Sequence, residues 1–119
     1  MNKLERRIYN RQYKLKYKRT PKGFLTRKYY MMRRRVEGKV TRGRHIYQGL
    51  KICSKQEFID WAEKDEDFQE LFQYWLRSGQ DLRALPTVDR INSRQGYILP
   101  NMEWVTFSEN SSRGGKAKW

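Results

Sequence analysis

The chain of 119 residues is long enough for one compact domain with a basic arm, because single domains commonly contain about 100–150 residues. Its net charge of +14 is uneven: residues 1–53 hold eighteen Lys and Arg against two acidic residues, residues 54–82 three against eight, and residues 83–119 six against three. A polyanion is the expected partner of such a basic amino-terminal half, since release of counterions from phosphates drives association. Nucleic acid, and double-stranded DNA in the first instance, is therefore the predicted partner.

Cysteine usage and hydropathy exclude several other classes of protein. Cys53 is the single cysteine, which excludes an internal disulfide and a multi-cysteine zinc site and fits a reducing compartment. No apolar run approaches the roughly 18 residues of a membrane span, so membrane insertion is not expected. Charged residues already occur within the first seven positions, so secretion is not expected either. An anionic membrane surface is the competing polyanion, but the basic segments lack a continuous apolar face. We expect a cytoplasmic protein without a membrane partner.

The first predicted element is a weak helix that starts near Leu4. Leu4, Ile8 and Leu15 recur at near-helical spacing, and basic residues occupy most of the positions between them. Because the apolar stripe is narrow and the density of like charge is high, we expect this helix to become ordered against the phosphates of a partner. The Thr-Pro-Lys-Gly stretch at residues 20–23 is expected to end it.

A second basic helix is predicted from Thr26, as its N-cap, to about Val36, with Gly38 ending it. Residues 1–38 would then form a basic helical arm that contacts DNA. The candidate nucleic-acid-binding residues share a positive charge on this arm, on the loop after it or near the carboxy terminus: Arg27, Lys28, Arg33, Arg34, Arg35, Arg42, Arg44 and Arg113.

Residues 39–85 are predicted to form a linker, with a short strand or turn, followed by two acidic and aromatic helices. Ser54 and Glu57 have the spacing of a capping box at the start of the first helix. The second helix covers about residues 67–77, where large apolar side chains recur at spacings of three, four and seven. We expect both helices to supply aromatic side chains to the core and to hold their acidic residues away from DNA.

The carboxy-terminal part, residues 86–119, has the pattern of a strand, a loop, a second strand and a helix, with a short basic tail at residues 113–119. Val88 and Ile91 bracket the first strand, Gly96 marks the turn, and Trp104 shares one face of the second strand with Thr106. Thr106 also starts a capping-box pattern for a short final helix. Together with the preceding helices, this pattern predicts a small α+β domain.

Two stretches of this part, residues 86–92 and 101–110, resemble the ββα-metal core of HNH (His-Me finger) endonucleases. The likeness is greatest to the phage and intron-associated kind that reads Asn-hydrophobic-Glu-Trp-Val-Thr-x-x-Glu-Asn, which is matched by Asn101 to Asn110. It covers about residues 86–113, with a looser likeness over residues 47–58. The resemblance implies an HNH-like finger packed on helices and metal-dependent hydrolysis of DNA in the cytoplasm of an infected bacterium.

The resemblance implies roles for four residues of the pattern. Asp89 and Asn110 would hold a divalent cation, Mg²⁺ or alternatively Mn²⁺, because hard cations bind oxygen ligands. Asn101 would pin the loop of the finger by hydrogen bonding. Arg90 stands where the family has the histidine that activates water, and arginine stays protonated near neutral pH. Arg90 would therefore clamp a phosphate rather than accept a proton.

The general base is consequently left open by the sequence. His45 is the single histidine, and it is a candidate base from outside the motif or, beside its arginines, a phosphate contact or a surface residue. Tyr47 and Tyr97 are weaker candidates. A plainer interpretation makes Asp89, Asn101 and Asn110 turn and cap residues of an ordinary hairpin and helix.

Three functions remain as alternatives. The first is a phage-type DNA endonuclease that nicks one strand or cuts both. The second is a catalytically degenerate HNH fold that binds nucleic acid, or a host machine that handles nucleic acid, without cleavage. The third is a host-directed inhibitor whose acidic helices contact a basic host protein.

Overall fold

A computed structural model describes residues 1–116, and the side chains as far as residue 113. Five helices come first: α1 (Lys3–Lys18), α2 (Pro21–Val36), the single turn α3 (Arg44–Tyr47), α4 (Lys55–Lys64) and α5 (Glu66–Arg77). A 3-10 turn (Leu82–Ala84) leads to β1 (Pro86–Arg90), and a second one (Leu99–Asn101) leads to β2 (Met102–Thr106) and α6 (Phe107–Lys116). The predicted α+β class is confirmed as helices around a two-stranded antiparallel sheet. The last three residues of the predicted basic tail lie outside the described residues.

Helix α2 begins nearly two turns before its predicted start, because its N-cap lies six residues before Thr26. Thr20 is the N-cap, since its Oγ1 accepts a hydrogen bond from the Gly23 N–H at 3.1 Å, and Pro21 occupies the first helical position. Proline suits that position because it has no N–H to leave unsatisfied. A Cβ at residue 23 would lie 2.0 Å from the Tyr17 carbonyl oxygen, so only glycine lets α1 and α2 approach this closely. The predicted end at Gly38 is confirmed by its φ of +75°.

Helix α1 is formed as predicted, but it buries none of its side chains. Its apolar residues Leu4, Ile8 and Leu15 are all at least half exposed. Packing on the core therefore does little to stabilise α1, and its surface is open to a partner.

Among residues 1–116 we find no helix with both the length and the apolar character that crossing a membrane requires.

One hydrophobic core joins α2, α4, α5 and the hairpin formed by β1 and β2. It therefore contains residues from all three predicted segments, 1–38, 39–85 and 86–119. Trp104 of β2 lies at its centre, with ring centroids 4.6 Å from Phe68 and 5.9 Å from both Phe58 and Trp61. The predicted capping box at Ser54 is confirmed and starts α4. Each fully buried aromatic side chain contributes roughly 1.5–3 kcal/mol. The aromatic helices therefore hold the hairpin in place, as the sequence predicted.

The segment before α4 pairs with the hairpin loop. Ile52 forms an isolated parallel bridge with Tyr97, and the Tyr97 N–H donates to the Lys51 carbonyl at 2.9 Å. A Cβ on Gly96 would lie 1.9 Å from that carbonyl oxygen. Gly96 was predicted to mark the turn, but its role is to permit this close approach. Ile91, predicted to end the first strand, lies just outside β1 and is exposed.

Candidate functional site

One face of the hairpin meets helix α6 through polar side chains. Thr87 and Asp89 are two residues apart on β1 and therefore point to the same face. Nδ2 of Asn110 donates to Thr87 Oγ1 at 3.2 Å, and Arg113, one turn further along α6, donates to Asp89 Oδ2 at 2.8 Å. Asp89 and Asn110 thus lie at the same junction of strand and helix. Among the described residues no hydrogen bond involves the Oδ1 atom of Asn110, which could therefore serve as an oxygen ligand.

Three carboxylates share the guanidinium of Arg113. Glu103 lies directly opposite Asp89 in the strand register, and Arg113 Nη1 hydrogen-bonds to both. Glu109 is the third, 3.9 Å from Nη2. These hydrogen bonds, first to Asp89 and then to Glu103, raise the pKa of Arg113. The sequence predicted a nucleic-acid contact for Arg113, and in the structure its guanidinium reduces the repulsion between two facing carboxylates.

Arg90 points to the other face of β1. Its guanidinium carbon lies 4.3 Å from the centroid of the Tyr47 ring, and Nη1 donates to the carbonyls of Ser93 at 2.8 Å and Gln95 at 3.1 Å. Tyr47 in turn stacks on Tyr97, with centroids 6.1 Å apart. Arg90 therefore closes the loop between the strands through Nη1, and no hydrogen bond among the described residues involves its Nε or Nη2.

Arg35 connects this loop to helix α2. Its Nη1 donates to the Tyr97 hydroxyl at 3.2 Å, and its guanidinium carbon lies 5.6 Å from the Tyr47 ring. Tyr97 is almost fully buried, and burial raises the pKa of its phenol. The two tyrosines, which were weaker candidates for chemistry, thus order Arg35 and Arg90 on one aromatic surface.

Asn101 has the geometry that the resemblance implies for the central asparagine. The residue is 4% exposed, and its Oδ1 accepts from the Asn92 N–H at 2.8 Å. Its Nδ2 donates to the carbonyls of Asn92 at 3.1 Å and Gly96 at 2.9 Å. One side chain thereby holds both ends of the loop from residue 92 to residue 96.

His45 is exposed on α3, two residues before Tyr47. Tyr47 packs on the Arg90 face of β1, so α3 is tied to the face opposite that of Asp89. The structure therefore brings together Asp89 and Asn110, and it separates them from the side chain of Arg90 and from the helix that carries His45.

Most of the predicted nucleic-acid contacts carry a charge that no acidic residue balances. Among the described side chains, salt bridges to acidic residues involve only four cations: Arg33, Lys39, Arg83 and Arg113. Six of the predicted contacts take part in none of these salt bridges. Four of them are exposed, namely Arg27, Arg34, Arg42 and Arg44, and the other two, Lys28 and Arg35, are partly buried. Helix α2 and the loop after it therefore present a strongly positive surface.

Thr87 and Glu103 belong to the site but were not predicted to do so. Alternation along the first strand places Thr87 beside Asp89, and this signal was present in the sequence. Glu103 could be placed only with the cross-strand register, which depends on the length and course of the loop.

Comparisons with known proteins add nothing further, since no protein-family model, no curated protein and no solved structure matches this chain.

The donor set at the strand and helix junction fits a hard divalent cation in its chemistry. Asp89 offers a carboxylate and Asn110 an amide oxygen, and Mg²⁺ commonly takes one or two carboxylates and keeps several waters. Within residues 1–116, no three His, Cys, Asp or Glu side chains converge as a ready-made metal cluster. A cation at Asp89 would therefore bind with water as its main ligand and would compete with Arg113 for the carboxylate.

Proposed function

We propose that this protein binds DNA through its basic helices and hydrolyses a phosphodiester bond at the junction of β1 and α6. The observation that carries the proposal is the shared position of Asp89 and Asn110, within a hairpin and helix whose loop is pinned by Asn101. When bound there, a divalent cation would polarise the phosphate and stabilise charge on the leaving oxygen. Asp89 and Asn110 would hold it, and the basic surface of α2 and the loop after it would bind other phosphates of the same DNA.

The binding step rests on the unbalanced cations of α1, α2 and the loop after α2. Each phosphate that a protein neutralises on duplex DNA contributes about −0.9 to the slope of log K against log salt concentration. With about six contacts, the expected slope is roughly −5. Replacing Arg27 and Arg34 together by Gln should make that slope less steep by about 2. Replacing Lys55 and Lys64 of the acidic helix α4 by Gln is the matched control and should leave the slope almost unchanged.

The cleavage step is tested by nicking of supercoiled plasmid with Mg²⁺ or Mn²⁺. Asp89→Asn keeps the shape of the side chain but removes the charge that attracts a cation, so nicking should be lost, as it should in EDTA. Glu109→Gln is the matched control, because Glu109 approaches the same Arg113 guanidinium but is not proposed to hold the cation. An Asp89→Asn protein that nicks as fast as the unaltered one would refute this assignment.

A second candidate function is nucleic-acid binding without cleavage, and the positions of two arginines favour it. Arg113 occupies the carboxylate of Asp89, and Arg90 stands where the resemblance implies a histidine. The two candidates differ in cation binding, which Mn²⁺ electron paramagnetic resonance measures without any cleavage. For the nuclease, Arg113→Gln should tighten Mn²⁺ binding and Asp89→Asn should abolish it. For the binding protein, neither substitution should change the spectrum of free Mn²⁺, and DNA binding should persist in EDTA.

A further inference from the structure

A cleft of about 320 Å³ lies where α1, α2 and α5 meet, close to the start of β1. Its apolar lining includes Phe24, Met31, Trp75 and Leu85. Three cations, Lys18, Arg27 and Lys28, also line it, and its lining contains no acidic residue. A volume of this size is at the lower end of the range for small-ligand clefts, which begins at about 300 Å³. The cleft combines an apolar surface with positive charge alone.

Lys28 is the unusual group in this cleft. Its side chain is partly buried, its ammonium lies 5.5 Å from the centroid of the Phe24 ring, and no salt bridge within the described chain involves it. Burial, followed by the charges of Arg35 and Arg27, lowers the pKa of Lys28 to about 8. A partly desolvated cation among other cations destabilises a fold until an anion arrives, and such groups cluster at binding sites.

The lining selects a ligand with a flat apolar body and an attached negative charge. A nucleotide has this combination, because its base presents a π-face to apolar and aromatic side chains while its phosphate attracts Lys and Arg. A base within a duplex is stacked and paired on both sides, so it would have to be unpaired to enter a cleft. The cleft lies beside the basic surface already proposed to bind phosphates, which places the backbone of a bound strand at its rim.

We propose that this cleft binds one unpaired nucleobase of a bound nucleic-acid strand, with the adjacent phosphate contacting Lys28 and Arg27. The inference rests on the proposed binding of nucleic acid but does not depend on cleavage. Leu85 at the cleft and Asp89 at the strand and helix junction are separated by four residues, or about 13 Å along an extended strand. A base held in the cleft would therefore keep a nearby stretch of the same strand close to Asp89.

The test uses the full chain in EDTA with three DNA hairpins of the same sequence. The first is fully paired, the second carries one bulged 2-aminopurine, and the third has an abasic site at the bulge. The bulged hairpin should bind about tenfold more tightly than the paired one, which is the scale of one stacked base. Its 2-aminopurine fluorescence should change on binding as the base moves into apolar surroundings. The abasic hairpin should lose the preference.

Two cleft variants and one control complete the experiment. Lys28→Gln and Met31→Ala should each remove most of the preference for the bulge, and Met31 is 42% exposed, so its loss does not open the core. Lys22→Gln, which changes an exposed lysine of the same helix outside the cleft, should preserve the preference. Equal affinity for paired and bulged hairpins, or fluorescence unchanged by saturating protein, overturns the cleft proposal alone. Failure to bind any hairpin overturns both it and the proposed DNA binding.

Discussion

Replacement of Asn101 by Ala should be strongly destabilising, although the residue is polar and lies beside a loop. The substitution removes three hydrogen bonds, to the N–H and carbonyl of Asn92 and to the carbonyl of Gly96. The side chain is almost fully buried, so its former partners do not all regain water. At about 1 kcal/mol for each bond, the expected loss is about 3 kcal/mol. For a chain of this size, the midpoint of thermal unfolding should fall by roughly 10 °C.

Urea unfolding followed by tryptophan fluorescence measures this loss as a change in the free energy of unfolding. Asn92→Ala is the matched control, because the Asn92 side chain is exposed and its Oδ1 accepts one local hydrogen bond from the Arg94 N–H. That substitution should cost less than about 1 kcal/mol. If the two alanine variants unfold at the same urea concentration, Asn101 does not hold the loop as described.

A charge variant at the same position separates the donor from the acceptor function of the amide. Asn101→Asp keeps the oxygen that accepts from the Asn92 N–H, but it turns a second oxygen toward the carbonyls of Asn92 and Gly96. At neutral pH this carboxylate faces two acceptors, so the variant should be at least as unstable as Asn101→Ala. Protonation restores one donor, and the variant should therefore recover stability relative to Asn101→Ala as the pH falls toward 4.

Three further predictions follow from the packing and the pKa values. Lys28→Met should raise the free energy of unfolding by about 1 kcal/mol at pH 7. Because the folded-state pKa of Lys28, about 8, lies below the 10.5 of an exposed lysine, the unfolded chain binds more protons between these values. Calorimetry should therefore show that this gain shrinks as the pH rises from 8 toward 10. Gly96→Ala should cost roughly 1–3 kcal/mol in urea unfolding, since the backbone of Lys51 blocks the new methyl group. Burial, followed by the charge of Glu57, raises the pKa of Cys53 to about 11, so iodoacetamide at pH 7.5 should alkylate the native thiol much more slowly than the urea-unfolded one.

The sequence predicted the order of the main elements because their signals are local. The Ser54 capping box, the aromatic spacing of α5 and the strand pattern before α6 depend on residues within a few positions of one another. The start of α2 was predicted six residues late, because Thr20 and Thr26 are both acceptable caps. Pro21 at the first helical position decides between them.

The site was less predictable because its contacts join distant segments. Arg90 and Tyr47 are 43 positions apart, and Arg35 and Tyr97 are 62 positions apart. No periodicity in the sequence links such pairs, and the loop that brings them together is defined by buried side chains. The cleft beside Lys28 arises in the same way from three helices. Charge density indicated that Lys28 contacts phosphate, but only packing distinguishes it from the exposed arginines around it.

Asp89 and Arg90 are adjacent in the chain but belong to two different structural units. Asp89 faces α6 and its Arg113, whereas Arg90 faces α3 and, through Tyr97, the Arg35 side of α2. Arginine at position 90 therefore has a structural role that is independent of catalysis, because it closes the loop and ties it to the basic helices. Arginine cannot accept a proton as the histidine implied by the resemblance would, but its structural role is a second reason for its presence at this position. Hydrolysis of DNA at the junction of β1 and α6 would also require a cation to displace Arg113 from Asp89.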